Sequence, residues 1–216
     1  MQDRPKGPLS RMSIVSFAWD PPNLCSLAGL LCAILGIYYA VVGVFQAAMI
    51  GMLWAVLFDG YDGIIARRLK GRTDEHKAFG AQLDSLIDVV SFSVCPSVVL
   101  LSYGGFSPWL LPGAFVIVST GVMRLSYFSV FGLVDKSTYM GLALDNNVVI
   151  LSAVFLLHGL IAHDTLVVIL YTTLMALAIL NVAPIRTPKL AGKWFRAITF
   201  YILGMTAIYG WLLMRA

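Results

Sequence analysis

Four aspartates, Asp59, Asp62, Asp84 and Asp88, are the residues best placed to do chemistry, because each lies in or at the mouth of an apolar stretch. One carboxylate in hydrocarbon costs roughly 2.5–3.5 kcal/mol even on a lenient insertion scale. Four in two neighbouring segments therefore call for a compensating cation. Asp59, Asp62, Gly63 and Ala66 are spaced by three, one and three residues, and Gly80, Asp84, Asp88 and Ser91 by four, four and three. Each set forms one stripe of a helix. Counting inward from Arg67 at 1.5 Å per residue puts Asp62 about 8 Å and Asp59 about 12 Å deep. Counting from Phe79 puts Asp84 about 8 Å and Asp88 about 14 Å deep. Two antiparallel helices joined by one loop then set Asp62 beside Asp84 and Asp59 beside Asp88. Donors that are all oxygen, without His or Cys, suit hard ions such as Mg²⁺, Mn²⁺ or Ca²⁺. Four carboxylates can hold one ion or two, and a pair suits phosphoryl displacement. Gly63, Ala66 and Gly80 leave backbone bare beside the acids, and Arg67 could grip a phosphate bidentately.

The elements that must position these residues are membrane helices. Of 216 residues 59% are hydrophobic and only 12% charged, against about 25% charged in a soluble domain. Mean hydropathy is +0.86. Apolar stretches at 24–42, 45–65, 79–101, 108–127, 147–162, 165–183 and 195–213 approach or reach the roughly 20 residues that cross a bilayer core. The fold class expected is an all-α, polytopic membrane bundle, with a six-helix core and an extra C-terminal membrane helix. With the N-terminus inside, fourteen of the fifteen Lys and Arg fall on or near the cytoplasmic side, and only Arg215 lands outside. The net charge of +4 thus follows the positive-inside rule and does not point to nucleic acid. An integral protein of the cell inner membrane, its N-terminus and site cytoplasmic, is expected.

The chain reads as a cytoplasmic or interfacial segment over 1–22 and one transmembrane domain over 23–216. Residues 13–19 fit either an interfacial segment, with Trp19 at headgroup depth, or a disordered tail. Three polar stretches, 67–78, 128–146 and 184–194, all face the cytoplasm, and function gathers where such irregular segments meet a rigid bundle. Cys25, Cys32 and Cys95 sit inside apolar stretches and read as small buried hydrophobes. His76, His158 and His163 read as hydrogen-bonded interface residues.

The run DGYDGIIAR at 59–67, followed by GAQLDSLID at 80–88, matches D-x-x-D-G-x-x-A-R, a spacer and G-x-x-x-D-x-x-x-D at every fixed position. It resembles the signature of the CDP-alcohol phosphotransferases. The spacer departs: twelve residues separate Arg67 from Gly80, longer than the family's commonest form, with the surplus between Lys70 and Lys77. The resemblance implies a six-helix, usually homodimeric core around a polar cavity open to the cytoplasm. Asp59, Asp62 and Asp84 would hold Mg²⁺ or Mn²⁺, as one or two ions. Asp88 would accept the proton of the attacking hydroxyl and also touch metal. Gly63, Ala66, Arg67 and Gly80 would line the CDP pocket, and PNLCS at 22–26 adds Asn23 on the nucleotide side.

Within the family, the stretches at 79–96, 124–128, 139–142 and 184–189 look most like the phosphatidylserine synthases. A G-L-P-polar element is usual there, whereas residues 141–147 read GLALDNN. The reaction implied is displacement at the lipid-side phosphate of CDP-diacylglycerol by a small alcohol, with CMP leaving. L-Serine ranks first, then choline, ethanolamine, glycerol phosphate or inositol phosphate. Arg124 could bind a serine carboxylate and Asp145 its ammonium, although Arg124 equally reads as a residue snorkelling to the interface. A carboxylate-lined ion transporter is the reading from another class. Against it, the acids gather near one face and no polar residues continue to the other.

Overall fold

The computed structural model describes residues 13–132, 138–188 and 193–215. Its order follows from local signals. Ser13 accepts from the Ser16 N–H and caps a short helix, α1 (Ile14–Ala18). Pro21 and Pro22 then open α2 (Pro21–Val41), where a missing N–H costs no hydrogen bond. A turn at Gly43, with φ +83°, leads into α3 (Phe45–Arg68). These two helices touch along small residues: a Cβ on Gly51 would stand 2.7 Å from the Cys32 carbonyl. Such close backbone approach is the usual device of helix pairs in membranes, where apolar burial alone drives no association.

Thr73 caps α4 (Asp74–Val89), which runs through a π-helical turn, Val90–Val94, into α5 (Cys95–Tyr103). The π turn has a cause in the sequence. Pro96 has no N–H for the Phe92 carbonyl one turn back, and Asn147 Nδ2 donates to that carbonyl at 3.2 Å instead. The Cys95 N–H reaches back to Val90. The widened turn begins two residues after Asp88, and such turns collect at functional sites.

Then follow α6 (Leu111–Phe131), β1 (Thr138–Met140), α7 (Asp145–Phe155), α8 (His163–Val182), β2 (Arg186–Pro188) and α9 (Lys193–Leu213). Pro21–Val41, Phe45–Arg68, Asp74–Tyr103, Pro108–Phe131, His163–Val182 and Trp194–Leu213 are long and apolar enough to cross a membrane. The protein is an all-α membrane bundle, as composition implies. Bulky apolar side chains such as Phe115, Val130 and Phe200 are exposed on its flanks, where lipid would cover them.

The passage expected over 147–162 is only partly helical. α7 ends at Phe155, and the remainder turns through Gly159, at φ +81°, beside the far end of α5. There His158 Nδ1 lies 3.0 Å from Tyr103 OH, and the His163 ring lies 4.6 Å from the Tyr103 ring. Residues 13–19 are largely helical, which removes the disordered-tail alternative for them. Cys95 packs as a buried side chain, its thiol 3.6 Å from the Ala33 carbonyl. The C-terminal helix is firmly seated. Tyr209 OH donates to the Ser152 carbonyl at 2.5 Å and Trp54 Nε1 to Thr206 at 3.2 Å.

Candidate active site

Asp59 and Asp62 project from the C-terminal part of α3, Asp84 and Asp88 from α4, and the four line a cavity of about 510 Å³. One oxygen each of Asp59, Asp84 and Asp88 lie within 4.8 Å of one another. The contacts pair Asp62 with Asp84 and Asp59 with Asp88, the arrangement that the depth count predicts. Carboxylates this close repel unless a proton or cation lies between them. Asp62 stands slightly aside from the trio, only 7% exposed, and accepts a short hydrogen bond from Ser26 Oγ of α2.

The donor set fits a hard divalent cation. All the donors are oxygen, and the buried Oδ1 of Asp88 has no hydrogen-bond partner among the described residues. A buried carboxylate oxygen left bare is costly, and an ion in the cluster would satisfy it.

Other expected residues divide into two groups. Gly63 and Arg67 stand in the cavity wall with Arg68, and the Arg67 guanidinium lies beside the Gly63 backbone. Ala66, Gly80 and Asn23 do not line the cavity. Gly80 and Asn23 instead meet at its flank. A Cβ on Gly80 would stand 2.8 Å from Asn23 Oδ1 and 2.9 Å from Arg72 Nη2, so a side chain here would displace one of those groups. Asn23 is buried, and its Nδ2 donates to the Phe17 carbonyl at 2.8 Å.

Arg124 of α6 and Asp145, at the first turn of α7, both line the cavity. Arg124 is only 9% exposed, and its Nε has no hydrogen-bond partner among the described residues. Its guanidinium sits 5.5 Å from the centre of the Tyr139 ring, which Phe128 braces edge-on at 5.5 Å. Burial, then the charge of Asp145, pushes the Tyr139 phenol up from its ordinary range. The Asp145 carboxylate accepts from the Asn146 N–H at 3.0 Å and from Asn146 Nδ2 at 3.1 Å.

The segment that carries Tyr139 is pinned by the polar stretch before α9. β1 pairs antiparallel with β2, Tyr139 opposite Thr187. Beyond the strand, the Gly141 N–H donates to the Ile185 carbonyl at 2.8 Å and the Leu142 N–H to the Leu180 carbonyl at 2.9 Å. Gly141 has φ +75° and packs on the Asn181 carbonyl, which leaves no room for a side chain. Lys136 and Lys189 lie outside the described residues, as do Arg4, Lys6 and Arg11.

Several structurally important residues carry no functional mark in the sequence. The longer spacer acts as an anchor. Its Arg72 Nε meets Asp20 at 2.6 Å, in an ion pair whose side chains are 10% and 7% exposed, and Arg72 Nη2 donates to the His76 carbonyl at 3.2 Å. Phe17 of α1 packs 4.8 Å from the His76 ring and 5.2 Å from Phe79. The N-terminal segment is thereby bolted to the start of the helix that carries Asp84 and Asp88. No local pattern marks the Asp20–Arg72 pair. Ser26 does fall in the PNLCS run, and its spacing of four from Pro22 is the signal that could reveal it. Phe195 and Ile198 of α9 also line the cavity, and nothing in their neighbourhood announces it.

Comparison with known proteins gives the family. The family model for CDP-alcohol phosphatidyltransferase matches residues 19–183, which include all four aspartates, Arg124 and Asp145. The archaetidylserine synthase of Methanothermobacter thermautotrophicus is 36% identical over 149 residues, 68% of this chain and 60% of that protein. The CDP-diacylglycerol–serine O-phosphatidyltransferase of Methanocaldococcus jannaschii is 31% identical over 142 residues, 65% of this chain and 63% of that protein. The phosphatidylcholine synthase of Rhizobium johnstonii is 29% identical over 147 residues, 65% of this chain and 59% of that protein. The chain thus spans about three-fifths of the length of these relatives. By the extent of the family match, this chain belongs to the CDP-alcohol phosphatidyltransferases.

Proposed function

We propose that the protein transfers the phosphatidyl group of CDP-diacylglycerol to the hydroxyl of L-serine and releases CMP, a step of phospholipid synthesis. The observation that carries this is the presence of a buried cation and an anion, Arg124 and Asp145, in the wall of the same cavity as four carboxylates. A zwitterionic acceptor has a carboxylate for Arg124, whose Nε is unpartnered among the described residues, and an ammonium for Asp145. The two relatives named for serine transfer or archaetidylserine synthesis support the same acceptor.

In this reading Asp59, Asp62, Asp84 and Asp88 would hold Mg²⁺ or Mn²⁺, as one or two ions. When bound, the metal supplies positive charge against the diphosphate. Arg67, beside Gly63, takes phosphate oxygens at the cytoplasmic rim. Gly80 and Asn23 support the nucleotide end from the flank, and Ala66 keeps α3 slim next to it. Arg124 and Asp145 hold serine with its hydroxyl directed at the lipid-side phosphorus. The serine oxygen forms a bond to that phosphorus as the bond to the bridging oxygen breaks, and the electron pair leaves with CMP. Asp88 accepts the hydroxyl proton, a role that needs close positioning more than high basicity. The site faces the cytoplasm of the inner membrane, in keeping with the basic residues around the cavity mouth, and a homodimer carries over from the family resemblance. Residues 1–22 form the interfacial segment and 23–216 the transmembrane domain.

The test is CMP release from CDP-diacylglycerol by the full chain, with each candidate alcohol supplied separately. Serine should support it. The likeness to a phosphatidylcholine synthase makes choline the informative competitor, since choline has a cation and no carboxylate. Release with choline and not serine would overturn the acceptor while leaving the family intact.

A further inference from the structure

Behind the carboxylates lies a second, much smaller space. It shares the four aspartates and Phe92 with the large cavity. Its remaining walls are Ser26 and Gly29 of α2, Ala55 of α3, Ile87 of α4 and Ser91 of the π turn, none of which lines the large cavity. The acids thus stand between the large cavity and a chamber set among α2, α3 and α4. About 10 Å³ of it is open to the centre of a water molecule, which is room for one.

Ser91 stands out in that wall. It continues the stripe of Gly80, Asp84 and Asp88 by three residues, and it is only 1% exposed. A hydroxyl inside a helix commonly donates to a carbonyl one turn back. Ser97 does so to the Ser93 carbonyl at 2.8 Å and Thr120 to the Val116 carbonyl at 2.9 Å. Ser91 Oγ has no hydrogen-bond partner among the described residues, and neither has Asp88 Oδ1. Each would be costly to leave bare, and both residues line the same water-sized chamber.

We propose that this chamber holds one water molecule, and that Ser91 is a positioning residue that acts through it on the Asp88 carboxylate. The role rests on the transferase reading above. The Ser91 hydroxyl donates to the water, whose own two hydrogens go to Asp88 Oδ1 and to a neighbouring carboxylate. Three partners are the usual complement of a buried water. A carboxylate oxygen has two lone pairs, so a water on one side of Oδ1 leaves the other side to an ion. Held from behind, Asp88 keeps its second oxygen for the serine hydroxyl.

The experiment pairs diffraction with kinetics on the full chain. Crystals grown with Mn²⁺, at a resolution that shows ordered water, separate ion from water by the anomalous signal. The chamber should contain a peak without anomalous signal, within hydrogen-bond distance of Ser91 Oγ and Asp88. An anomalous peak there, or an empty chamber, would overturn the proposal. In parallel, Ser91→Ala should lower kcat about tenfold, the lower end of what losing an outer hydrogen-bond partner of a metal ligand costs. The KM for each substrate and the Tm should stay unchanged, as a merely structural serine would not allow. Ser93→Ala is the control, because that hydroxyl packs on Gly121 of α6 and lines neither cavity. A kcat untouched by Ser91→Ala, or lowered equally by Ser93→Ala, would overturn the positioning role. Diffraction needs no turnover. A water in the chamber of a protein that released no CMP with any alcohol would contradict the transferase reading and still support the bound water.

Discussion

The two halves of the cavity are built in opposite ways. The acidic half comes from two consecutive helices joined by one loop, and its four carboxylates occupy 30 residues of chain, 59–88. The facing half comes from α6, β1 and α7, and its key member Tyr139 is held by pairing with β2, some 48 residues further on (187 minus 139). Helix periodicity and one connecting loop set most of the first. The second exists only once the bundle has closed. The difference teaches which changes should abolish chemistry and which should retune it.

The largest effect should come from the acidic half. Chelation by EDTA should abolish CMP release, and Mg²⁺ or Mn²⁺ should restore it; full activity in chelator would show that no metal is needed. Asp88→Asn should cut kcat about a thousandfold, within the range for a lost general base, while CDP-diacylglycerol binding largely persists. Asp62→Asn should instead weaken metal and nucleotide together, because its carboxylate is seated by Ser26 next to Asp84. Equal loss of binding in both variants would erase the division of roles between them.

Smaller effects should arise where the acidic half is buttressed. Asp20→Asn leaves the Arg72 guanidinium buried without its partner and should cost about 3 kcal/mol of stability, read as a lower Tm. Replacing both residues with apolar ones of similar volume should recover much of it, and a Tm unmoved by Asp20→Asn would show that the spacer is not anchored there. Least of all, Asn147→Leu should cost about 1–2 kcal/mol by orphaning the Phe92 carbonyl that Pro96 leaves free. If stability did not change, the π turn would have another support.

Legibility in the sequence follows the same division. Helix periodicity places the carboxylate pairs, Asp62 with Asp84 and Asp59 with Asp88, because 3.6 residues per turn and one short loop leave little freedom. Seven apolar stretches are visible, but the length of α7 is not, since nothing before Gly159 breaks the hydrophobic run at 147–157. Arg124 and Asp145 stand out as charges near spans, whereas their convergence depends on contacts from 141–142 to 180 and 185. Asp20–Arg72 and the packing of Phe195 on Gly60 are illegible for a shared reason. Each joins residues with no periodic relation, and an ordinary charge or aromatic at a helix end carries no mark of its partner.

The most direct measurement is steady-state kinetics of Arg124→Ala in both substrates. The KM for serine should rise ten- to a hundredfold, or about 1.5–3 kcal/mol for a lost charge-assisted hydrogen bond, with the KM for CDP-diacylglycerol nearly unchanged. A rise in the donor KM with serine unaffected, or CMP release with choline alone and insensitive to this substitution, would contradict the assignment of the two halves.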